Sequence, residues 1–167
     1  KIITSMSSEK WLFIIIFLLL FNYISSTVLE FINNKNWKDL IPKELKNYYS
    51  KEKYLEARNY KIEHGKISFI SSTLSTIITL SLLYLGIYGW VSDHFVMNYE
   101  NNFIQSGLFF LSFFLLNTII SIPFQYYSTF YIEEKYGFNK TTLKVFITDR
   151  IKGILLSILI GGLILFI

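Results

Sequence analysis

Residues 101–132 read NNFIQSGLFFLSFFLLNTIISIPFQYYSTFYI, thirty-two positions without a charged side chain. An α-helix needs about 20 mostly apolar residues to cross a hydrocarbon layer roughly 30 Å thick. One charge at mid-membrane costs about 2.5–3.5 kcal/mol on insertion scales, and a Leu, Ile or Phe returns only about 0.3–0.6. So long a gap between charges is therefore the mark of a membrane span. Three more gaps flank it, at residues 11–29, 67–92 and 153–167. All charged residues, 16 basic and 12 acidic, fall outside the four windows. The chain reads as an all-α polytopic membrane protein with four transmembrane helices, at about 11–29, 67–91, 103–131 and 152–167.

Composition agrees. The 167 residues are 52% hydrophobic and 19% aromatic, but only 17% charged. That balance excludes disordered, collagen-like and coiled-coil chains, which are far more polar or repetitive. With no cysteine, there is no disulfide framework, thiol nucleophile or iron–sulfur cluster. A cleaved signal peptide is the competing reading of the first window, with Lys1 and Lys10 as basic flank. The apolar run continues to Val28 and Leu29, long enough to span, and favours a retained helix. The fourth window follows Lys152 and stops at Ile167, short of a comfortable span, while the chain starts on Lys1. Both ends look cut, as in a fragment of a longer protein.

Lysine and arginine counts orient the spans. The N-terminal flank has two, residues 30–66 have nine, residues 93–100 none and residues 133–152 five. This alternation puts the N-terminus on the lumenal side and both basic segments in the cytosol. The net charge of +4 is then topological, and nucleic acid is not an expected partner.

In the first basic segment, Pro42 suits the first turn of a helix, and no Pro or Gly follows until Gly65. Tyr48, Leu55, Ile62 and Phe69 recur every seven residues, one stripe running into the second span. The segment either projects from the membrane as a helix or lies flat on anionic lipid. Ser68, Ser71, Ser72, Thr73, Ser75, Thr76, Thr79 and Ser81 make the second span rich in hydroxyls. Close helix packing is favoured over a water-filled cavity lining. Gly86 and Gly89 add a small-residue face, with Tyr88 and Trp90 at the aromatic belt. The third span would reach about 48 Å at about 1.5 Å per residue, too long for the hydrocarbon layer. Its Pro123 should kink it, and Asn117 should face other helices or water. An overlong, kinked helix with polar positions fits the wall of an enclosed space.

After the third span, Gly137 is placed to end the helix in a left-handed conformation, with Phe138 as its apolar contact. Asn139 is the expected N-cap of the next helix. Glu133 and Glu134 sit near a helix C-terminus, which disfavours anions. Lys135, Arg150 or Lys152 should compensate. Gly153, Ser157 and Gly161 form a further close-packing stripe. The sequence has no His-Glu-x-x-His, no Gly-rich phosphate loop and no Gly-x-Ser-x-Gly elbow. His64 and His94, the two histidines, fall on opposite sides of the membrane and read as ordinary flank residues. Asn139-Lys-Thr141 matches a glycosylation sequon in a segment read as cytosolic. No catalytic or metal-ligating residue is assigned.

Ser128-Thr-Phe-Tyr-Ile-Glu-Glu-Lys-Tyr-Gly-Phe-Asn-Lys-Thr-Thr142, with Phe146-Ile-Thr-Asp-Arg-Ile-Lys152, resembles the pre-catalytic region of the type I CAAX prenyl proteases. Tyr54-Leu-Glu-Ala-Arg-Asn-Tyr60 before Lys66-Ile-Ser-Phe69, and Gly161-Gly162-Leu-Ile-Leu165, are similar to that family's second and fourth spans. The resemblance implies part of a larger helical barrel around a water-filled chamber, housed in the endoplasmic reticulum membrane. It implies a zinc endopeptidase that removes three C-terminal residues from farnesylated CAAX proteins. Its zinc motif would lie in a C-terminal protease domain beyond residue 167, leaving this part inactive alone. Expected partners are the prenylated substrate, the bilayer and that domain. Glu133, Glu134, Tyr136, Gly137, Phe138, Asn139, Asp149 and Lys152 match the signature and are expected to shape the chamber's cytosolic end. The alternative is a non-enzymatic scaffold or transporter subunit whose turn matches by chance.

Overall fold

The structure, a computed structural model, describes residues 7–37, 40–42 and 46–166. Lys1, Lys38, Lys43 and Ile167, used above for orientation and span length, lie outside them. The described residues form five helices: α1 (Ser8–Asn36), α2 (Lys51–Tyr84), α3 (Ile87–Asn98), α4 (Asn102–Tyr127) and α5 (Leu143–Phe166). A π-helical turn, Ser128–Glu133, extends α4. The long helices stand in a row. Among the described elements α1 touches only α2, α2 touches α4, and α4 touches α5, while α3 bridges α2 and α4.

Such a row is one helix thick, so most side chains face outward. Tyr54, Ile132 and Phe146 are the buried apolar residues, and they belong to the basic ends of α2, α4 and α5. Elsewhere large apolar residues are exposed, such as Phe13, Phe17 and Phe21 on α1 or Leu155, Leu159 and Leu163 on α5. In water that surface would be an aggregation liability; against lipid tails it is the favoured solvent contact.

Three helices are long and apolar enough to cross a membrane: α1, α2 and α4 with its extension. The third span runs 32 residues, Asn102–Glu133, so its excess length holds. α5 is also long, but its described apolar part begins only after Asp149, Arg150 and Lys152. The expected four spans are thus three by this measure, because the charges at the start of α5 leave it short.

Other expectations need correction. The helix of the first basic segment starts at Lys51, capped by Ser50 Oγ, which accepts from Lys53 N. Pro42 lies outside any helix, and Tyr48, the first residue of the seven-residue stripe, is exposed before the helix begins. From Lys51, α2 runs unbroken to Tyr84. It spans about 51 Å at about 1.5 Å per residue, which excludes a separate helix lying flat. The second span does not continue as one helix to residue 91. Gly86, at φ 68°, turns the chain into α3, an angle that side-chain-bearing residues avoid. Gly86 is therefore a turn residue, not part of a packing face.

The close-packing stripe on α5 also fails. A methyl placed on Gly153 or Gly161 would meet nothing within 4 Å. Ser157, Gly161 and Gly162 instead open an apolar cleft of about 380 Å³ opposite Phe103, Gly107 and Phe110 of α4. Aromatic rings of α4 line the opposite wall of that cleft. One close approach is real. The Gly65 backbone meets Glu30 of α1, whose Oε1 would lie 2.8 Å from a Cβ there.

Candidate functional site: the junction at the basic ends

The C-terminus of α4, the N-terminus of α5 and the basic end of α2 meet where the resembling segment lies. Gly137 has φ 72°, as expected. Phe138 N donates to Glu133 O at 2.8 Å and Gly137 N to Glu134 O at 3.1 Å. This pair of bonds is the Schellman arrangement, satisfying carbonyls that a helix end leaves free. The Phe138 ring finds its partner on another helix, edge-on to Tyr60 of α2 with centroids 5.0 Å apart. Tyr136 packs on the same ring at 5.4 Å, and His64 lies on it at 4.5 Å.

Polar contacts reinforce the junction. Lys135 Nζ donates to Glu63 Oε1, and Tyr136 OH donates to the same oxygen at 3.1 Å. Glu63 precedes Lys66, on the charged side of the apolar window. The Lys135 hydrogen bond holds its carboxyl below the ordinary range, helped by Tyr136. Reciprocally, Lys135 is raised by Glu63. Burial, then the Glu63 bond, raises Tyr136; burial, then the Glu133 charge, raises Tyr60.

The expected compensation of Glu133 and Glu134 is therefore different. Lys135 turns to Glu63, and Lys152 approaches Asp149 at 4.0 Å between two exposed side chains. Arg150 stacks over the Phe146 ring at 4.7 Å. Glu134 is served by Asn139, whose Nδ2 donates to Oε2 at 2.9 Å. That nitrogen is also the atom that glycosylation would modify. Asn139 does not cap α5. Its Oδ1 accepts from Thr141 N at 2.7 Å, closing an Asx turn, while Thr142 Oγ1 accepts from Val145 N at 3.3 Å. The hydroxyl adjacent to Leu143 wins because the turn uses up the asparagine.

Inside the row, hydroxyls of α2 line cavities rather than a tight interface. Ser68, Ser72, Ser75, Thr76 and Thr79 border about 250 Å³ facing Tyr23 and Glu30 of α1. Ser75 and Thr79 also border about 310 Å³ with Asn117 of α4, so Asn117 faces another helix, as expected. A third cavity, about 380 Å³, takes Ser68, Ser71 and Ser72 with Ser121, Gln125, Ser128, Thr129 and Arg150. Of these hydroxyls, Thr73 bridges to another helix directly, bonded to Tyr23 OH at 2.7 Å. The cavity reading, disfavoured on sequence, thus describes most of these hydroxyls.

His64, a flank residue by sequence, has its ring 3.3 Å from Ser128 Oγ, measured to Nδ1. Tyr60, Glu63 and His64 sit three and four apart on one helical face, a spacing legible in the sequence but without an evident partner. Among the described residues no three His, Asp or Glu side chains stand close enough to share a metal ion.

Residues 30–167 match the family model described as CAAX prenyl protease N-terminal, five membrane helices. A CAAX prenyl protease 1 homolog of Oryza sativa subsp. japonica is 35% identical over 147 residues, covering 83% of this chain and 35% of that protein. CAAX prenyl protease 1 of Saccharomyces cerevisiae is 51% identical over 51 residues, 30% of this chain and 11% of that protein. The crystal structure of S. mikatae Ste24p superposes with a TM-score of 0.80 at 28% identity, covering 93% of this chain and 38% of that one. The chain thus spans about a third of the length of such relatives. On this match, which runs from the end of α1 through the junction to residue 167, the chain belongs to the CAAX prenyl protease family, in its N-terminal membrane region.

Proposed function

We propose that this chain is the N-terminal membrane part of a zinc endopeptidase that removes the last three residues of farnesylated CAAX proteins. In this reading α5 is the fourth crossing, the N-terminus is lumenal, and the membrane is that of the endoplasmic reticulum. The helices form part of the wall of an intramembrane chamber. One observation carries the reading: polar side chains of α2 and α4 face cavities between helices whose outer surfaces are apolar. A lipidated peptide needs an apolar setting for its prenyl group beside water for hydrolysis. Glu133, Glu134, Tyr136, Gly137, Phe138, Asn139, Asp149 and Lys152 shape the chamber's cytosolic end. The protease domain with its zinc follows residue 167, and the present part alone is inactive. Family membership leaves the scaffold or transporter alternative without support.

The test is cleavage of a farnesylated CAAX peptide by the complete protein, with and without a metal chelator. Loss of cleavage on chelation and its return with zinc is the expected result. Chelator-insensitive cleavage, or none, overturns it.

A further inference from the structure

Arg150 has a buried Nε with no hydrogen-bond partner, and its guanidinium contacts only the face of Phe146 among the aromatic rings. A buried guanidinium nitrogen left unpaired is costly, and more so on a charged group. Arg150 as a whole is only partly exposed. It borders the cavity of about 380 Å³ whose other polar walls are Ser68, Ser71, Ser72, Ser121, Gln125, Ser128 and Thr129. The guanidinium and the hydroxyls of Ser68, Ser71 and Thr129 can donate hydrogen bonds, while Ser72 Oγ already donates to Phe69 O and Gln125 Nε2 to Ser121 Oγ, and no carboxylate lines the space. That donor set suits an oxyanion.

Depth identifies the source of the anion. On α2, Ser68 comes two residues after Lys66, the last charge before the apolar window. On the α4 extension, Ser128 and Thr129 come four or five residues before Glu133. On α5, Arg150 lies three residues before Gly153. α2 and α5 present the cavity at their boundary between charged and uncharged sequence, the level of the lipid headgroups, and on α4 it runs from there inward to Ser121. Basic pockets between membrane helices at that level are the usual seats of anionic headgroups.

We propose that Arg150 and the surrounding hydroxyls form a binding site for the phosphate of an anionic phospholipid. The site lies between α2, α4 and α5 at their shared basic end. It is independent of zinc and of proteolysis, so its failure would leave the proposed function standing.

The experiment counts lipids retained on the complete protein by native mass spectrometry, from micelles of phosphatidylcholine doped with phosphatidic acid. The wild-type protein should retain one phosphatidic acid more than Arg150→Gln, whose occupancy should fall at least tenfold. Lys140→Gln, which removes a charge outside the cavity, should change occupancy less than twofold. Ser71→Leu, which fills the cavity and keeps the charge, should lower occupancy like Arg150→Gln. It is the second variant if Arg150→Gln does not fold. Equal losses in Arg150→Gln and Lys140→Gln would mean only diffuse attraction and would overturn the site. Full displacement by millimolar inorganic phosphate, or by a peptide with a free C-terminal carboxylate, would assign the cavity to a soluble anion and overturn it too.

Discussion

Gly137 bears the most constrained backbone of the junction. A side chain at its φ of 72° costs about 1–2 kcal/mol, and a β-branched one more. Gly137→Val should therefore lower stability by at least about that amount in denaturant unfolding of the detergent-solubilised protein, although a methyl would meet no neighbour. An unchanged midpoint would mean the turn is not left-handed. Glu63 and Lys135 make a prediction in pH. The carboxyl is held low, so its contribution is present above the ordinary carboxylate range and fades as pH falls through the lowered value. The ammonium is held high, so its contribution is present below the ordinary lysine range and fades as pH rises through the raised value. Wild type should be most stable between these limits, and Glu63→Gln should flatten both limbs in thermal unfolding. Identical profiles would show the contact to be absent in solution. Gly137 was readable because one residue type at one position carries its message. Glu63 was not, since its two partners lie more than seventy positions away in sequence.

Helix ends show what local sequence can and cannot say. Asn139, Thr141 and Thr142 are all plausible caps, and competition among them decides. Because Asn139 is spent on Glu134 and Thr141, Thr142→Ala should cost about 1 kcal/mol, the usual effect of losing a cap. Asn139→Ala should instead loosen the turn and leave α5 helicity intact. Amide hydrogen exchange in the first turn of α5 separates the two, and the reverse ranking would restore Asn139 as cap. Ser50 beats Pro42 in the same way, since its oxygen satisfies a free N–H at the start of α2. The break at Gly86 illustrates another limit. Apolar residues continue through it, so hydropathy runs on while the backbone turns.

Across the molecule, the basic stretches of α2, the α4–α5 connection and the end of α1 gather at one end. There Arg58 Nε donates to Trp37 O at 3.2 Å, and Lys61 lies over the Trp37 ring. Counts of lysine and arginine anticipated this sorting. Cysteines placed singly at Ser50 and Asn98 should accordingly react with an impermeant reagent from opposite faces of sealed vesicles. Reaction from the same face would break the topology. What hydropathy could not supply is how the helices stand to one another. Small residues on α5 suggested close packing, but they border a cleft whose other wall carries Phe103 and Phe110.

Charge spacing alone determined that the chain is helical and immersed in lipid, because moving an ion into hydrocarbon costs more than any neighbouring residue returns. The turn at Gly137 was likewise written locally, in a backbone angle that few residues accept. Only the tertiary structure decided which partner each polar group takes. A hydroxyl or ammonium can reach several acceptors with similar energy, and its choice depends on distances set by helices far apart in the chain. That is why Lys135 turns to Glu63, why the serines of α2 border cavities, and why Arg150 is left facing one.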